Sequence, residues 1–268
     1  MKKNLTIGEL HRLLNGHPNH EHESFHEFLL FSPSYRLAHQ FLTGQDVDRK
    51  QCQAIFEWDL VLKTYSLCGD VYSMPFLKWW DSKGRGIFYS KNSDGSYEFE
   101  GHISLLNNKI NRSTLHSCLS LVSDKARLEK RDKKRIENWR LGVEVKFPSK
   151  WSKVLTSNAK KTHDNLGARS ELGSLVSKRL KEALFVAENA ARGRFPSVTS
   201  IYTGLKFNFA ELYELQSINL KLGVRDISQR KINKEYVPKR HHHRKVRSKL
   251  TKEKLIQAEL ERNLKLKT

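Results

Sequence analysis

Apolar residues recur at three- and four-residue spacing over most of this chain, and strict alternation is confined to two short stretches. The first periodic segment, Thr6 to Leu14, opens on a capping-box spacing of Thr6 and Glu9 and closes at Gly16 and Pro18. Pro33 and Ser34 introduce a helix through Leu37, Phe41 and Leu42 that Gly44 should stop. From Asp48 to Leu67, Ile55, Trp58, Leu60, Val61, Leu62 and Tyr65 predict one continuous helix. A further helix, Met74 to Ser82, gathers Phe76, Leu77, Trp79 and Trp80 within two turns and should end at Gly84. Aromatic side chains bury the most area, so this pair is expected at the heart of an N-terminal core.

The first alternating stretch spans 86–100. Ile87-Phe88-Tyr89 and Tyr97-Glu98-Phe99 flank the turn signal Asn92-Ser93-Asp94-Gly95, which predicts a β-hairpin. Helices followed by a hairpin is also the order of a winged helix, but the segment is electrically neutral, so helices packed on a small sheet is the preferred reading. A helix from Thr114 to Leu141 follows, apolar at Leu115, Cys118, Leu119 and Val122. It is charged in every direction from Lys125 to Arg140 and should end at Gly142. That middle reads as a connector between domains, with Glu129 and Lys133 placed for a local ion pair. Val143 to Phe147 alternates like a strand, closed by Pro148. Ser170 to Arg192 is a long amphipathic helix with Leu172, Leu175, Val176, Leu180, Leu184 and Ala187 on one face. Another helix opens at Asn208 with Glu211 and should end at Gly223.

The expected fold is therefore mainly α with a small β component. A helical N-terminal domain (1–124, hairpin 86–100) precedes a basic connector helix and short strand (125–148). A helical C-terminal domain (149–229) and a basic, largely flexible tail (230–268), helical only near its end, follow.

Charge changes the picture from a fold to a partner. Of the formal net charge of +20, residues 1–124 carry −1, residues 125–150 carry +6, residues 151–229 carry +5 and residues 230–268 carry +10. A tail with 14 Lys and Arg against 4 Asp and Glu, and few apolar residues before Leu250, has no core of its own to bury. Regularly spaced phosphates suit such a gradient, and release of condensed counterions supplies the free energy. The candidate phosphate contacts are Lys130, Arg131, Lys134, Arg135, Lys178, Arg179, Lys239, Arg240, Arg244, Lys245 and Arg247. Tyr236 is a candidate base-stacking residue, as Trp151 and Tyr202 would be if exposed. Nothing in the sequence encodes base readout, and DNA is preferred to RNA only because no aromatic RNA-recognition motif or Gly-x-x-Gly clamp is present.

Enzymatic signatures are sparse. No Gly-x-x-x-x-Gly-Lys-Ser/Thr loop, Gly-x-Gly-x-x-Gly or Gly-x-Ser-x-Gly elbow occurs. His22-Glu23-Ser24-Phe25-His26 is a His-Glu-x-x-His motif, and His39 follows after 12 intervening residues. That spacing is similar to the SprT-type zinc proteases, and the resemblance implies His22, His26 and His39 as zinc ligands with Glu23 as general base. It covers one pentapeptide and one spacing. Only 21 residues precede His22, and the flank Gly16-His17-Pro18-Asn19-His20 is polar where a metal helix would be buried. The preferred reading of 17–27 is a surface loop rich in His and Glu that binds metal adventitiously or titrates near neutral pH. His241-His242-His243 reads as an extension of the cationic surface.

Cys52, Cys68 and Cys118 are too few and too far apart for a disulfide framework or zinc ribbon, which points to a reducing compartment. The longest apolar run, Phe28 to Phe31, is far too short for a bilayer. Glu9, His11 and Arg12 interrupt what would be a signal-peptide core. The sequence thus predicts a soluble, cytoplasmic, non-enzymatic nucleic-acid-binding protein with no cofactor and no membrane partner. A protein-docking scaffold working through the neutral residues 1–124 is the alternative.

Overall fold

The computed structural model describes residues 17–91, 97–98, 103 and 110–233. The expected helix at 6–14 and the tail from residue 234 lie outside them. The chain divides into a compact unit of residues 1–226 and a second unit of residues 227–268.

The first described helix, α1 (His20–Phe31), replaces the loop expected there. Asn19 caps it, accepting from the Glu21 and His22 amides at 2.8 and 3.0 Å, while His22 Nδ1 accepts the Asn19 amide at 3.0 Å. This is a capping box closed by a histidine. Ser32 then caps α2 (Pro33–Leu42), with proline in the first turn. Gly44, at φ +75°, ends it as the sequence predicts.

The single helix expected over 48–67 is two, α3 (Arg49–Gln53) and α4 (Trp58–Cys68). The break is tertiary in origin. The Phe56 carbonyl accepts from Arg192 Nε and Nη2 at 3.2 and 2.8 Å, and Glu57, at φ +54°, pairs with Arg194. Gly84 likewise fails to stop its helix: α5 (Phe76–Trp79) continues through a π-turn (Trp80–Gly84) into α6 (Arg85–Phe88). A Cβ on Gly84 would lie 2.7 and 2.8 Å from ring carbons of Trp79 and Trp80, so the glycine admits the two indoles rather than ending the helix. Ile87 and Phe88 are consequently helical. The described β-structure is one two-residue antiparallel pair, β1 (Ser90–Lys91) with β2 (Tyr97–Glu98), in register Ser90 to Glu98. The turn at 92–95 lies outside the described residues.

The long helix expected to 141 stops at Asp132. α7 (Arg112–Asp132) ends with Lys133 at φ +52°, and the chain turns into α8 (Asn138–Glu144). Nor is α7 a solvated connector, since Leu121, Val122, Lys125, Ala126 and Leu128 are all buried. The strand expected at 143–147 is instead the end of α8 and a turn in which the Phe147 amide donates to the Gly142 carbonyl at 2.8 Å. Gly142 lies inside α8, where a Cβ would meet Leu172 at 2.9 Å, and this close approach seats α8 on the long helix behind it.

That helix, α10 (His163–Ala190), follows a single-turn α9 (Trp151–Val154) and organises the compact unit. Ala168, Leu172, Val176, Leu180, Ala183 and Ala187 form its buried stripe, packed against α8, α7 and α1. Leu175 is exposed and Leu184 half-buried, unlike the expected face. The last helix, α11 (Phe209–Ile232), begins where Asn208 accepts from the Glu211 amide and passes through Gly223 without ending. One hydrophobic cluster runs from Phe25 to Leu212. The boundaries expected at 124/125 and 148/149 fall inside that continuous core. The fold is mainly α, and among the described residues no helix is long and apolar enough to cross a membrane.

Candidate nucleic-acid interface

The His-Glu-x-x-His motif lies on α1, where its two imidazoles share one helical face. That face is the core. His22 is fully buried, with ring centroids 4.5 Å from Trp80 and 4.6 Å from Phe88, and His26 packs 4.9 Å from Trp79. Neither Nε2 has a hydrogen-bond partner among the described residues, and burial lowers both pKa values to about 3. The expectation of a surface loop titrating near neutrality is thus corrected. Glu23 points to solvent. His39 sits on α2, sharing a 2.9 Å hydrogen bond between its Nδ1 and the Tyr65 hydroxyl, with Asp70 at 3.9 Å. Burial lowers its pKa, against the pull of Asp70. Among the described residues no group of three or more His, Cys, Asp or Glu side chains is placed to hold a metal ion. The spacing His22, Phe25, His26, Leu29 is that of an amphipathic helix, and it is the signal that separates this buried face from a loop.

The candidate phosphate contacts divide more clearly. Lys130, Arg131, Lys134 and Arg135 come together at the C-terminal end of α7 and the turn beyond it, where cations also complement the helix dipole. Lys130 Nζ donates to Glu214 Oε1 at 2.6 Å, and Arg131 pairs with its neighbour Asp132. The hydrogen bond to Glu214 raises the Lys130 pKa. Lys133, Lys134 and Arg135 are exposed and have no carboxylate at ion-pair distance among the described residues. Lys130, Lys133 and Lys134 line an open groove of about 390 Å3 with Glu129 and Ala210. Lys133, expected to pair with Glu129, belongs with them instead, since Glu129 turns to the Ile136 amide and Lys125; its place directly before Lys134 and Arg135 was the signal for it.

Lys125 anchors this end of the molecule rather than offering charge. Only 4% exposed, it donates to Asn138 Oδ1 at 2.8 Å and lies 4.8 Å from the Phe209 ring. Burial lowers its pKa, opposed by Glu129 and helped by Arg135. Asn138 in turn donates to Ser177 on α10 at 2.7 Å, which ties the turn to the helix that carries Lys178. Lys178 is exposed, and no carboxylate among the described residues pairs with it. Arg179 is only half-buried, but Glu182 holds it at 2.9 Å and its carbonyl oxygen faces Cys118 Sγ at 4.0 Å, so it is a packing residue as much as a surface charge.

Of the aromatic candidates, Tyr202 is 90% exposed, whereas Trp151 packs partly against the core with Lys150 Nζ 4.4 Å from its ring. Tyr236, Lys239, Arg240, Arg244, Lys245 and Arg247, with His241 to His243, lie outside the described residues. Comparison of the chain with family models, with curated proteins and with solved structures gives no match.

Proposed function

We propose that this protein binds nucleic acid, DNA in preference to RNA, by contacting phosphates through the basic end of α7 and the cationic residues of 230–268. The observation that carries the reading is the cluster Lys133, Lys134 and Arg135, cations with no carboxylate partner among the described residues, set beside the groove that Lys130 completes. Several other cations of the compact unit are neutralised in place: Arg36 by Glu211, Arg85 by Asp81, Arg127 by Asp124, Arg179 by Glu182 and Arg192 by Glu188. An unneutralised cluster in such a molecule has anions to gain. No chemistry is assigned to it, and the three buried free thiols fit a cytoplasmic setting.

Equilibrium binding of the full chain to a labelled 20-base-pair duplex over a salt series tests this. Log K should fall linearly with log salt, with a slope of about −0.9 for each phosphate neutralised. Absence of binding at low salt, or binding indifferent to salt, overturns it.

The scaffold reading keeps one observation of its own, placed elsewhere than in residues 1–124. Leu220 and Val224, one turn apart on α11, are each more than half exposed, an apolar surface that a protein partner could cover. If that reading holds, Leu220→Asp with Val224→Asp abolishes a partner complex and leaves duplex binding unchanged. Size-exclusion with light scattering reads the first outcome and anisotropy the second.

A further inference from the structure

One lysine of the groove at the end of α7 already holds an anion from outside its lining. Glu214, one turn into α11, reaches across to Lys130 at 2.6 Å, and both side chains are more than half exposed. The Tyr213 ring lies 5.6 Å from the same ammonium, so Lys130 is held between an aromatic face and a carboxylate. The carboxylate that lines the groove, Glu129, is committed elsewhere: its Oε1 accepts the Ile136 amide at 3.2 Å and lies 3.9 Å from Lys125. Glu214 is therefore the exchangeable anion, and its partner is one of three lysines lining the groove.

Resting on the nucleic-acid reading above, we infer that Glu214 is an internal competitor for the phosphate position at Lys130, so that the groove takes a phosphodiester by exchange for Glu214. An exposed ion pair is worth only about 0–1 kcal/mol, so it yields readily to a ligand that engages Lys133 and Lys134 at the same time. The exchange has a thermodynamic signature. When Glu214 is displaced it gathers a solution cation, which offsets the counterion released from the DNA. The wild-type protein should then show a shallower salt dependence than its contacts imply.

The test uses the full chain with Glu214→Gln, Lys130→Gln and the double variant, titrated against a labelled 20-base-pair duplex by fluorescence anisotropy over a salt series. Glu214→Gln should tighten binding about two- to fivefold and steepen the slope by about one. The gain should vanish in the Lys130→Gln background, because it acts through that side chain. Unchanged affinity and slope in Glu214→Gln, with normal wild-type binding, overturn the exchange and leave the nucleic-acid reading standing. A gain that persists undiminished without Lys130 also overturns it, since the effect is then one of net charge alone. A calorimetric titration with inorganic phosphate separates the ligand sources. Phosphate binding strengthened by Glu214→Gln, with no duplex binding in any variant, keeps the exchange and overturns the nucleic-acid reading.

Discussion

Glu188 and Arg192 are almost wholly withdrawn from water and satisfied from several directions. Glu188 accepts from the Ser32 hydroxyl, the Ser34 amide and hydroxyl, and Arg192, which itself donates to the Glu188 and Phe56 carbonyl oxygens. This network joins the α1–α2 junction, the break before α4 and the end of α10. Truncating one member leaves an uncompensated buried charge, so Glu188→Ala should cost about 3–5 kcal/mol in urea denaturation; a loss below about 1 kcal/mol contradicts the assignment. The buried histidines add a pH dependence. Their folded pKa of about 3 lies below the unfolded 6.5, so the unfolded chain binds the protons first. Stability is complete above about pH 6.5 and is lost as pH falls toward 3, by about 2 kcal/mol per histidine at pH 5. Denaturation midpoints at pH 7.5 and 5.0 should differ strongly in the wild type and far less in His22→Leu with His26→Leu. None of this was visible in residue types alone. Histidine in a polar run reads as surface, and only its spacing relative to Phe25 and Leu29 marks it as core.

The elements show where local pattern and tertiary structure part. Helix starts followed cap chemistry closely at Ser32 and Asn208, where a side-chain oxygen meets an amide of the first turn. Helix ends did not follow glycine. Gly44 and Gly193 occupy positive φ near their helix ends, whereas Gly84, Gly142 and Gly223 lie within helices. Glycine serves close approach as well as termination, and a single sequence does not separate the two uses. Two substitutions make the distinction measurable. Gly142→Ala drives a Cβ to 2.9 Å from Leu172 and should cost about 1–3 kcal/mol despite better helix propensity. At Gly223 the nearest atom to a new Cβ is Pro75 at 3.9 Å, so Gly223→Ala should stabilise by about 0.5–1 kcal/mol. Thermal or urea unfolding of both reads the contrast, and the same sign at the two positions would refute it. The missed breaks at 54–57 and 133–137 have a common cause. Side chains from outside the turn, Arg192 and Arg194 in one case and Lys125 with Asn138 in the other, reward a turn that local helical periodicity disfavours.

For the molecule as a whole, the charge gradient could be read from the chain, because counting cations needs no fold. Their division into neutralised and free cations could not. Arg179 and Lys125 looked equivalent to Lys134 in sequence, yet one is bound to Glu182 and the other closes the core beneath Phe209. The boundaries expected at 124/125 and 148/149 lie within one compact unit for a related reason. A helix charged around its circumference reads as a solvated bridge, but α7 buries Leu121, Val122 and Leu128 between its cations within one continuous core. A free basic cluster on that unit, followed in the chain by a tail of net +10, suits two linked contacts on one polyanion, each raising the effective concentration of the other. The most direct test is duplex-DNA affinity over a salt series for the full chain carrying Lys133→Glu, Lys134→Glu and Arg135→Glu. It is compared with the full chain in which Lys239, Arg240, Arg244, Lys245 and Arg247 are changed to Gln. Each set should weaken binding at least about tenfold and lower the salt slope by about two or more, and the combined variant should bind weakest. Wild-type affinity and slope in the α7 variant would contradict the two linked contacts.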